Sequence, residues 1–275
     1  MKRKINVKGV LIFLSVLVTV ALVGSFSLYY VQKNTAHRNL PFVPDYERAE
    51  LAENSDFETI FLQTGIGKPT AEKLIAEGNF KEIKKAQDIF FTKPQTECAP
   101  MFGWFTREDR LGDSDNIPFF DLRTGDVLVT LSTHSVGWRH GHAGFVIDEG
   151  RVLECQRMGE NSSYEGIYFW SNYTNWAVLR IKDMSDETQQ KALEVAEDIK
   201  GTPYNILSGI IGPKMPDRDS KFFGLYCTNL VWYIWNGLGF DTDSDGGRIV
   251  TGYDILHSDK FEVVQIFGMD PREFL

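Results

Sequence analysis

Residues 141–156 read GHAGFVIDEGRVLECQ, and this stretch decides the fold. Two runs rich in β-forming side chains flank Asp148-Glu149-Gly150, a pattern typical of an antiparallel hairpin. We expect a three-residue connection closed by Gly150 in the left-handed conformation. The resulting register pairs three sets of residues: Ile147 with Arg151, Gly144 with Glu154, and His142 with Gln156.

Strand alternation then brings a polar set onto one face of this hairpin. Gly144 has no side chain, so the Glu154 carboxylate has room to lean towards the His142 imidazole. A carboxylate on one ring nitrogen fixes the tautomer and steadies the imidazolium, which is the third role in a catalytic triad. Gln156 is the alternative partner for the ring, and a two-residue turn would rotate Glu154 away from it. Cys155 points to the opposite face, towards the core.

Strand-like runs recur on both sides of the hairpin, as DVLVTL from residue 126, WAVLRI from 176 and FEVVQIF from 261. Two helices interrupt them. One begins at Ser185, with acidic residues in its first turn. The other reads CTNLVWYIWN and begins at Cys227. Strands grouped around a few helices predict an α+β domain of about 150 residues.

Cys227 is the candidate nucleophile because it opens an apolar helix. A thiol at a helix N-terminus lies at the positive end of the macrodipole, which lowers its pKa and favours the thiolate. A nucleophile also needs a base, and His142 is the best candidate in the sequence. Taken singly, a buried small cysteine and a structural histidine are the alternative interpretation of these two residues.

These motifs, in this order, resemble the circularly permuted branch of the NlpC superfamily, papain-like proteins of the YiiX and YycO type. The resemblance covers roughly residues 119–268, where the order His, Glu, Cys is that of the permuted branch. Its motifs are Asp121-Leu-Arg-Thr-Gly-Asp126, Gly141-His-Ala-Gly144, Arg151-Val-Leu-Glu154, Gly201-Thr-Pro-Tyr204 and Tyr226-Cys-Thr-Asn229.

The resemblance implies a papain-like domain with an antiparallel sheet and packed helices. It makes Cys227 the nucleophile, His142 the base and Glu154 the polar third member, and it places Tyr204 in the wall of the cleft. Gln156 is a second candidate for substrate binding. The chain departs from the family at Thr228-Asn229, where Ser and Gly or Glu are usual, and this affects the expected substrate contacts.

The implied chemistry is acyl transfer without a cofactor. The Cys227 thiolate attacks an amide or ester carbonyl, His142 protonates the leaving group, and a backbone N–H at the helix start stabilises the oxyanion. By analogy the substrate is an amide or peptide bond of peptidoglycan. Two alternatives remain open: a thiol acyltransferase or lipase acting on membrane lipids, and a non-catalytic cell-envelope binding protein.

The N-terminus predicts a membrane anchor. Residues 9–31 carry no charge, and as a helix they would extend about 34 Å, enough to cross a bilayer core. Four basic residues precede them, so we expect residues 1–8 in the cytoplasm and the rest outside it. A cleaved signal peptide is the alternative. Residues 32–55 are polar and predict a linker.

Residues 56–93 predict three short amphipathic helices, the first capped by Asp56. The first two helices are joined by Thr64 to Lys68, which resemble the hairpin of a helix-hairpin-helix motif, whose amides hold a nucleic-acid phosphate. A tight helix–helix turn is the favoured interpretation. Residues 94–118 predict a connecting loop, and residues 119–275 the catalytic domain.

Charge and spacing argue against nucleic acid and metal. All 38 acidic residues follow residue 35, so the remaining chain, with 24 basic residues, has a net charge of −14. Such a body lacks the basic face that phosphate binding needs. His134, His140 and His142 have no Cys or acid at ligand spacing. Asp241 to Gly246 resembles a calcium loop, but Gly252 stands where its Glu is required. The oligomeric state is not predicted.

Overall fold

The computed structural model describes residues 7–36, 41–102, 106–112, 117–135, 138–220 and 223–275. Residues 1–6 of the predicted cytoplasmic tail and residues 37–40 of the predicted linker lie outside the described residues. The described α-helices are α1 (Val7–Ala36), α2 (Phe57–Thr64), α3 (Lys68–Ala76), α4 (Phe80–Phe90), α5 (Asp186–Ile199), α6 (Cys227–Asn236) and α7 (Gly252–Leu256). The described strands are β1 (Thr96–Phe102), β2 (Thr106–Leu111), β3 (Val127–Thr130), β4 (Thr133–Ser135), β5 (His142–Asp148), β6 (Arg151–Glu154), β7 (Ser163–Gly166), β8 (Trp176–Ile181) and β9 (Phe261–Phe267).

Helix α1 is long and apolar enough to cross a membrane. The span Lys8–Tyr30 has 23 residues and a mean hydropathy of 2.5. A signal sequence near an N-terminus has the same length and composition, so the anchor and its orientation stay predictions.

A six-stranded antiparallel sheet forms the centre of the fold, in the order β7-β6-β5-β3-β8-β9. Helices α5 and α6 contribute to the core on one face, together with Phe145, Leu153 and Cys155 of the hairpin. On the other face, Trp170 and Trp176 are fully or almost fully buried against the sheet. The α+β prediction is confirmed, as are the five predicted strands and the helices beginning after Ser185 and at Cys227.

A buried ion cluster explains the DLRTGD motif. The Arg180 guanidinium on β8 donates through Nε to Asp126 Oδ1 at 2.8 Å and through Nη1 to Asp121 Oδ2 at 3.0 Å. All three side chains are almost completely buried. The cluster ties the segment before β3 to the neighbouring strand.

The three helices predicted over residues 56–93 are confirmed, with Asp56 as the N-cap of α2. Their Thr64–Lys68 turn lies on the edge strand β9. Gly67 N donates to Val264 O at 2.9 Å, and a Cβ at Gly67 would lie 1.8 Å from Val263 O. Only glycine permits this approach. The Gly67 amide, which the helix-hairpin-helix alternative would assign to a phosphate, is therefore bound to the sheet.

The prediction of a connecting loop over residues 94–118 is wrong for most of its described residues, and residues 103–105 and 113–116 lie outside the described part. The segment contains β1 and β2, which pair with each other, and β2 also pairs with β4 in an antiparallel sheet of order β1-β2-β4. The strands escape pattern recognition because β2 reads TREDRL, with four charged residues, and Pro100 interrupts β1 at an irregularity of the register.

The predicted hairpin turn is also wrong, although the register beyond it is right. Asp148 pairs with Arg151 across a two-residue connection, and an irregularity between Val146 and Asp148 restores the predicted alignment. The Asp148 carboxylate accepts from Gly150 N at 2.9 Å and from Arg151 Nε at 2.7 Å. These side-chain bonds favour the tighter turn.

Candidate active site

The β5–β6 hairpin brings His142 and Glu154 together as predicted. His142 Nε2 lies 2.8 Å from Glu154 Oε2, and both side chains are almost completely buried. The space comes from Gly144, where a Cβ would lie 2.4 Å from Val152 Cγ1 and 3.1 Å from Glu154 Cγ. A buried carboxylate next to a buried imidazole holds the ring in one orientation and favours its protonated form.

Two further side chains hold the Glu154 carboxylate. Gln156 Nε2 donates to Oε2 at 3.2 Å, and Trp170 Nε1 donates to Oε1. The Trp170 ring also stacks on the His142 ring, with centroids 5.3 Å apart and planes at 15°. Sequence reasoning missed Trp170, and its only signal is the dense run of aromatic residues between 164 and 176.

Helix α6 packs on β5 and places Cys227, its first residue, near this pair. The Cys227 thiol interacts with the His142 ring and with the backbone N–H groups of Thr228 and Ala143, and each of these interactions lowers its pKa. Because Glu154 occupies Nε2, the nitrogen left for the thiol is Nδ1. The three predicted catalytic residues therefore lie in contact, in the order Cys227, His142, Glu154.

The electrostatics favour a thiolate–imidazolium pair. Burial raises the pKa of Cys227, but the His142 ring and the two backbone N–H groups outweigh burial and bring that pKa below its usual value. Burial lowers the pKa of His142, but the hydrogen bonds and negative charges of Cys227 and Glu154 raise it to about 10. Each member of the pair therefore favours the charged form of the other.

Cys227 and His142 line a cleft of about 510 Å³, within the size range of small-molecule and cofactor sites. One wall comes from the small sheet, through residues such as Thr106, Thr133 and Ser135. Much of the remaining lining is apolar. Five lining side chains are large, apolar and at least 37 % exposed: Trp138, Met158, Ile206, Ile210 and Ile249. We call these five the rim.

The predicted substrate-binding residues, Tyr204 and Gln156, both line this cleft. Their contact with a substrate stays a prediction. The unusual pair after the cysteine supports the cleft walls: Thr228 Oγ1 donates to Val250 O at 2.6 Å, and Asn229 Nδ2 donates to Lys214 O at 3.0 Å. These two side chains are therefore bound to the protein's own backbone.

The other two cysteines lie in different surroundings. Cys155 is buried in the core, where burial raises the pKa of its thiol. Cys98 lies near Asp109 and His134, with all three potential ligand atoms within 4.8 Å of one another. Burial and the Asp109 charge raise the pKa of Cys98. Cys98 is not among the described residues that line the cleft.

Comparisons with known proteins add one similarity. No protein-family model matches the chain, and no curated protein matches it. The chain is similar to the crystal structure of the metalloprotein YiiX from Escherichia coli O157:H7, with 18 % identity and a TM-score of 0.36. The similarity covers 52 % of this chain and 96 % of the YiiX chain. The geometry around Cys227, His142 and Glu154 therefore carries the functional interpretation.

Proposed function

We propose that the protein is a membrane-anchored, extracytoplasmic cysteine hydrolase with a permuted papain-like catalytic domain. The observation that carries this proposal is that Cys227 and His142 line the same cleft and interact, with the His142 ring held by Glu154. A thiol with a lowered pKa, a base, and a third group that orients the base are the parts of a nucleophilic catalyst.

The reaction proceeds through an acyl-enzyme. The Cys227 sulfur attacks the carbonyl carbon of an amide, and the His142 imidazolium gives its proton to the leaving amine. Water, deprotonated by His142, then attacks the thioester and releases the acid. The backbone N–H of Cys227, at the start of α6, has no helical acceptor, so it is available to the oxyanion. The favoured substrate is a peptide amide bond of peptidoglycan.

Cys98 is a poorer nucleophile than Cys227. Its pKa is raised by burial and by Asp109, whereas that of Cys227 is lowered. The thiolate is the reactive form of cysteine, so the direction of the shift distinguishes the two residues.

The test is the pH dependence of iodoacetamide alkylation of the full-length protein in detergent, with each modified cysteine located by peptide mass spectrometry. We expect Cys227 to react on a plateau that extends well below the free-thiol pKa of about 8.5, and His142→Ala to abolish this plateau. Muropeptide hydrolysis by the wild type should be lost in Cys227→Ala and retained in Cys155→Ala. An unreactive Cys227, together with muropeptide binding that survives Cys227→Ala, would instead indicate a non-catalytic binding protein.

The rim favours a second candidate substrate, an acyl chain attached to a lipid or to an amine. The exposed side chains of Trp138, Ile206 and Ile210 border the cleft. Each methylene that such walls remove from water stabilises the complex by about 0.8 kcal/mol. An anchor at α1 would also keep the cleft close to membrane lipids.

Product analysis with lipid and N-acyl substrates of increasing chain length separates the two substrate classes. If an acyl chain occupies the cleft, kcat/KM rises with chain length, and Ile210→Asp removes this dependence. Ile211→Asp is the matched control, because Ile211 is 76 % exposed but is not among the described lining residues. Equal rates for all chain lengths would contradict the acyl-chain candidate and leave peptidoglycan as the substrate class.

A further inference from the structure

A second group of chemically reactive side chains lies on the three-stranded sheet. Cys98 on β1 and Asp109 on β2 are direct cross-strand partners. His134 on β4 lies opposite Arg107, two residues from Asp109 along β2. Alternate residues of a strand share a face, so the sheet itself brings Cys98, Asp109 and His134 together. The sequence could not show this, because their spacing along the chain matches no metal motif.

The separations between these side chains suit a shared ion better than direct hydrogen bonds. His134 Nε2 lies 3.6 Å from Asp109 Oδ1 and 4.0 Å from Cys98 Sγ. A nitrogen and an oxygen 3.6 Å apart do not form a hydrogen bond. Zinc bonds of about 2.3 Å to sulfur and about 2.0–2.1 Å to nitrogen or oxygen place tetrahedral ligand atoms roughly 3.3–3.6 Å apart. The two separations from His134 are within a few tenths of an ångström of these values, and the Cys98 and Asp109 ligand atoms lie within 4.8 Å of each other.

Burial makes the group hard to explain as a simple polar cluster. His134 is completely buried, and its Nδ1 has no hydrogen-bond partner among the described residues. Asp109 is 3 % exposed, and its Oδ2 lies 2.9 Å from Arg139 Nη1, which leaves Oδ1 directed at His134. A carboxylate with one oxygen held by a neighbour and the other directed inward is the usual arrangement of a metal ligand.

We propose that Cys98, Asp109 and His134 bind Zn²⁺. Thiolate sulfur and imidazole nitrogen select zinc over magnesium and calcium, which take oxygen ligands. The Cys98 thiol loses its proton to solvent as the sulfur–zinc bond forms, so thiolate and carboxylate together balance the charge of the ion. Cys98 is partly exposed, and a water molecule reaches the fourth position from its side.

The zinc site would stabilise one wall of the cleft without lining the cleft itself. Thr106, Thr133 and Ser135 of the same sheet line the cleft, whereas the three zinc ligands are not among its described lining residues. One ion bound to β1, β2 and β4 would hold the sheet together and fix this wall. The zinc site is thus separate from Cys227 and does not depend on the proposed hydrolase activity.

The test uses the full-length protein in detergent, stripped with a chelator, incubated with one equivalent of Zn²⁺ and dialysed. Mass spectrometry of the metal content should find about one zinc per chain, and zinc should raise Tm. Cys98→Ser and His134→Ala should each reduce the zinc content at least tenfold. Cys155→Ser and Cys227→Ala are the matched thiol controls and should retain the full amount.

Cobalt provides a readout that does not require any variant of the zinc ligands to fold. Wild-type protein loaded with Co²⁺ should show a thiolate-to-cobalt charge-transfer band, unchanged in Cys227→Ala. No retained zinc in the wild type, or equal zinc in the wild type and Cys98→Ser, would overturn the proposal. A cobalt–thiolate band that disappears with Cys227→Ala would do so as well, because it would place the ion at the hydrolase site.

Discussion

Gly144 is the residue on which the arrangement of His142 and Glu154 depends, and Gly144→Ala tests this directly. A methyl group at this position would lie 2.4 Å from Val152 Cγ1, and 3.1 Å from both Glu154 Cγ and Trp170 Cζ2. Carbon atoms prefer separations of about 3.5–4.0 Å. Val152 is completely buried and stiff at χ1, so it must move by more than an ångström within a packed core.

The expected loss of stability follows from overpacking, which costs about 1–3 kcal/mol. For a folded unit of 150–250 residues, each kcal/mol changes Tm by about 2–4 °C, so Tm should fall by roughly 2–12 °C. Displacing Glu154 also weakens a charge-assisted bond worth about 1.5–3 kcal/mol. At 1.36 kcal/mol per pH unit, the midpoint for Cys227 alkylation should rise by up to about 2 units.

Both effects can be measured on one sample, by thermal unfolding followed by circular dichroism and by site-resolved alkylation across pH. Gly150→Ala is the matched control in the same hairpin, since its Cβ would meet only Asp148 Oδ1, at 3.7 Å. Replacing glycine at a compatible position changes stability by about 1 kcal/mol or less. If Gly144→Ala unfolds and alkylates like the wild type, the reasoning about this gap is wrong.

Three further predictions follow from the same contacts. Trp170→Phe keeps a ring beside His142 but removes the N–H bonded to Glu154, so it should lower the free energy of unfolding by about 1–3 kcal/mol and also lower kcat/KM. Trp176→Phe is the control for activity, because Nε1 of this buried indole has no partner among the described residues. Equal losses of kcat/KM in the two variants would contradict the role assigned to Trp170. Hydrolysis should decline near pH 10, where His142 loses the proton that the leaving group needs. The raised pKa of His142 also contributes stability that is full below about pH 6.5 and should disappear as the pH rises through 10. A rate that stays constant past pH 11, or a Tm difference between wild type and His142→Ala that does not narrow with rising pH, would count against this. Arg180→Met should lower the free energy of unfolding in urea by about 3–5 kcal/mol, because it leaves Asp126 buried without its cation. Arg151→Met, which breaks an exposed pair, should lower it by about 1 kcal/mol or less. Similar losses in the two variants would show that burial does not make the Arg180 cluster more important for stability.

The hairpin could be predicted because its information is local. Alternation defines the face of His142 and Glu154, and the glycine between them shows where space is needed. The observed register agrees with the predicted one, with Phe145 opposite Leu153, because a shift of one residue would expose the core-facing side chains to solvent. The turn was mispredicted because its conformation depends on the bonds made by the Asp148 side chain, which composition does not show.

The small sheet and its buried cluster could not be predicted, for a different reason. Strand β2 is mostly charged, and two of its three buried residues are the acids Glu108 and Asp109, so its apolar pattern is too weak to detect. Cys98 and His134 lie 36 residues apart and meet only through strand pairing. Trp170 belongs to a short 3₁₀ helix whose aromatic residues resemble ordinary core.

The seating of the α2–α3 turn on β9 has a consequence for biosynthesis. Thr70 Oγ1 donates to Val264 O across 194 residues of chain. While the chain is being made, these helices emerge well before β9, the strand whose edge they cover. The Gly67 N–H, which bonds to Val264 O in the folded protein, therefore stays without its final partner until β9 has been made. A chain that stops before residue 261 leaves the Gly67 N–H and the Thr70 hydroxyl without these acceptors, and we expect proteases to cleave such a product at this turn.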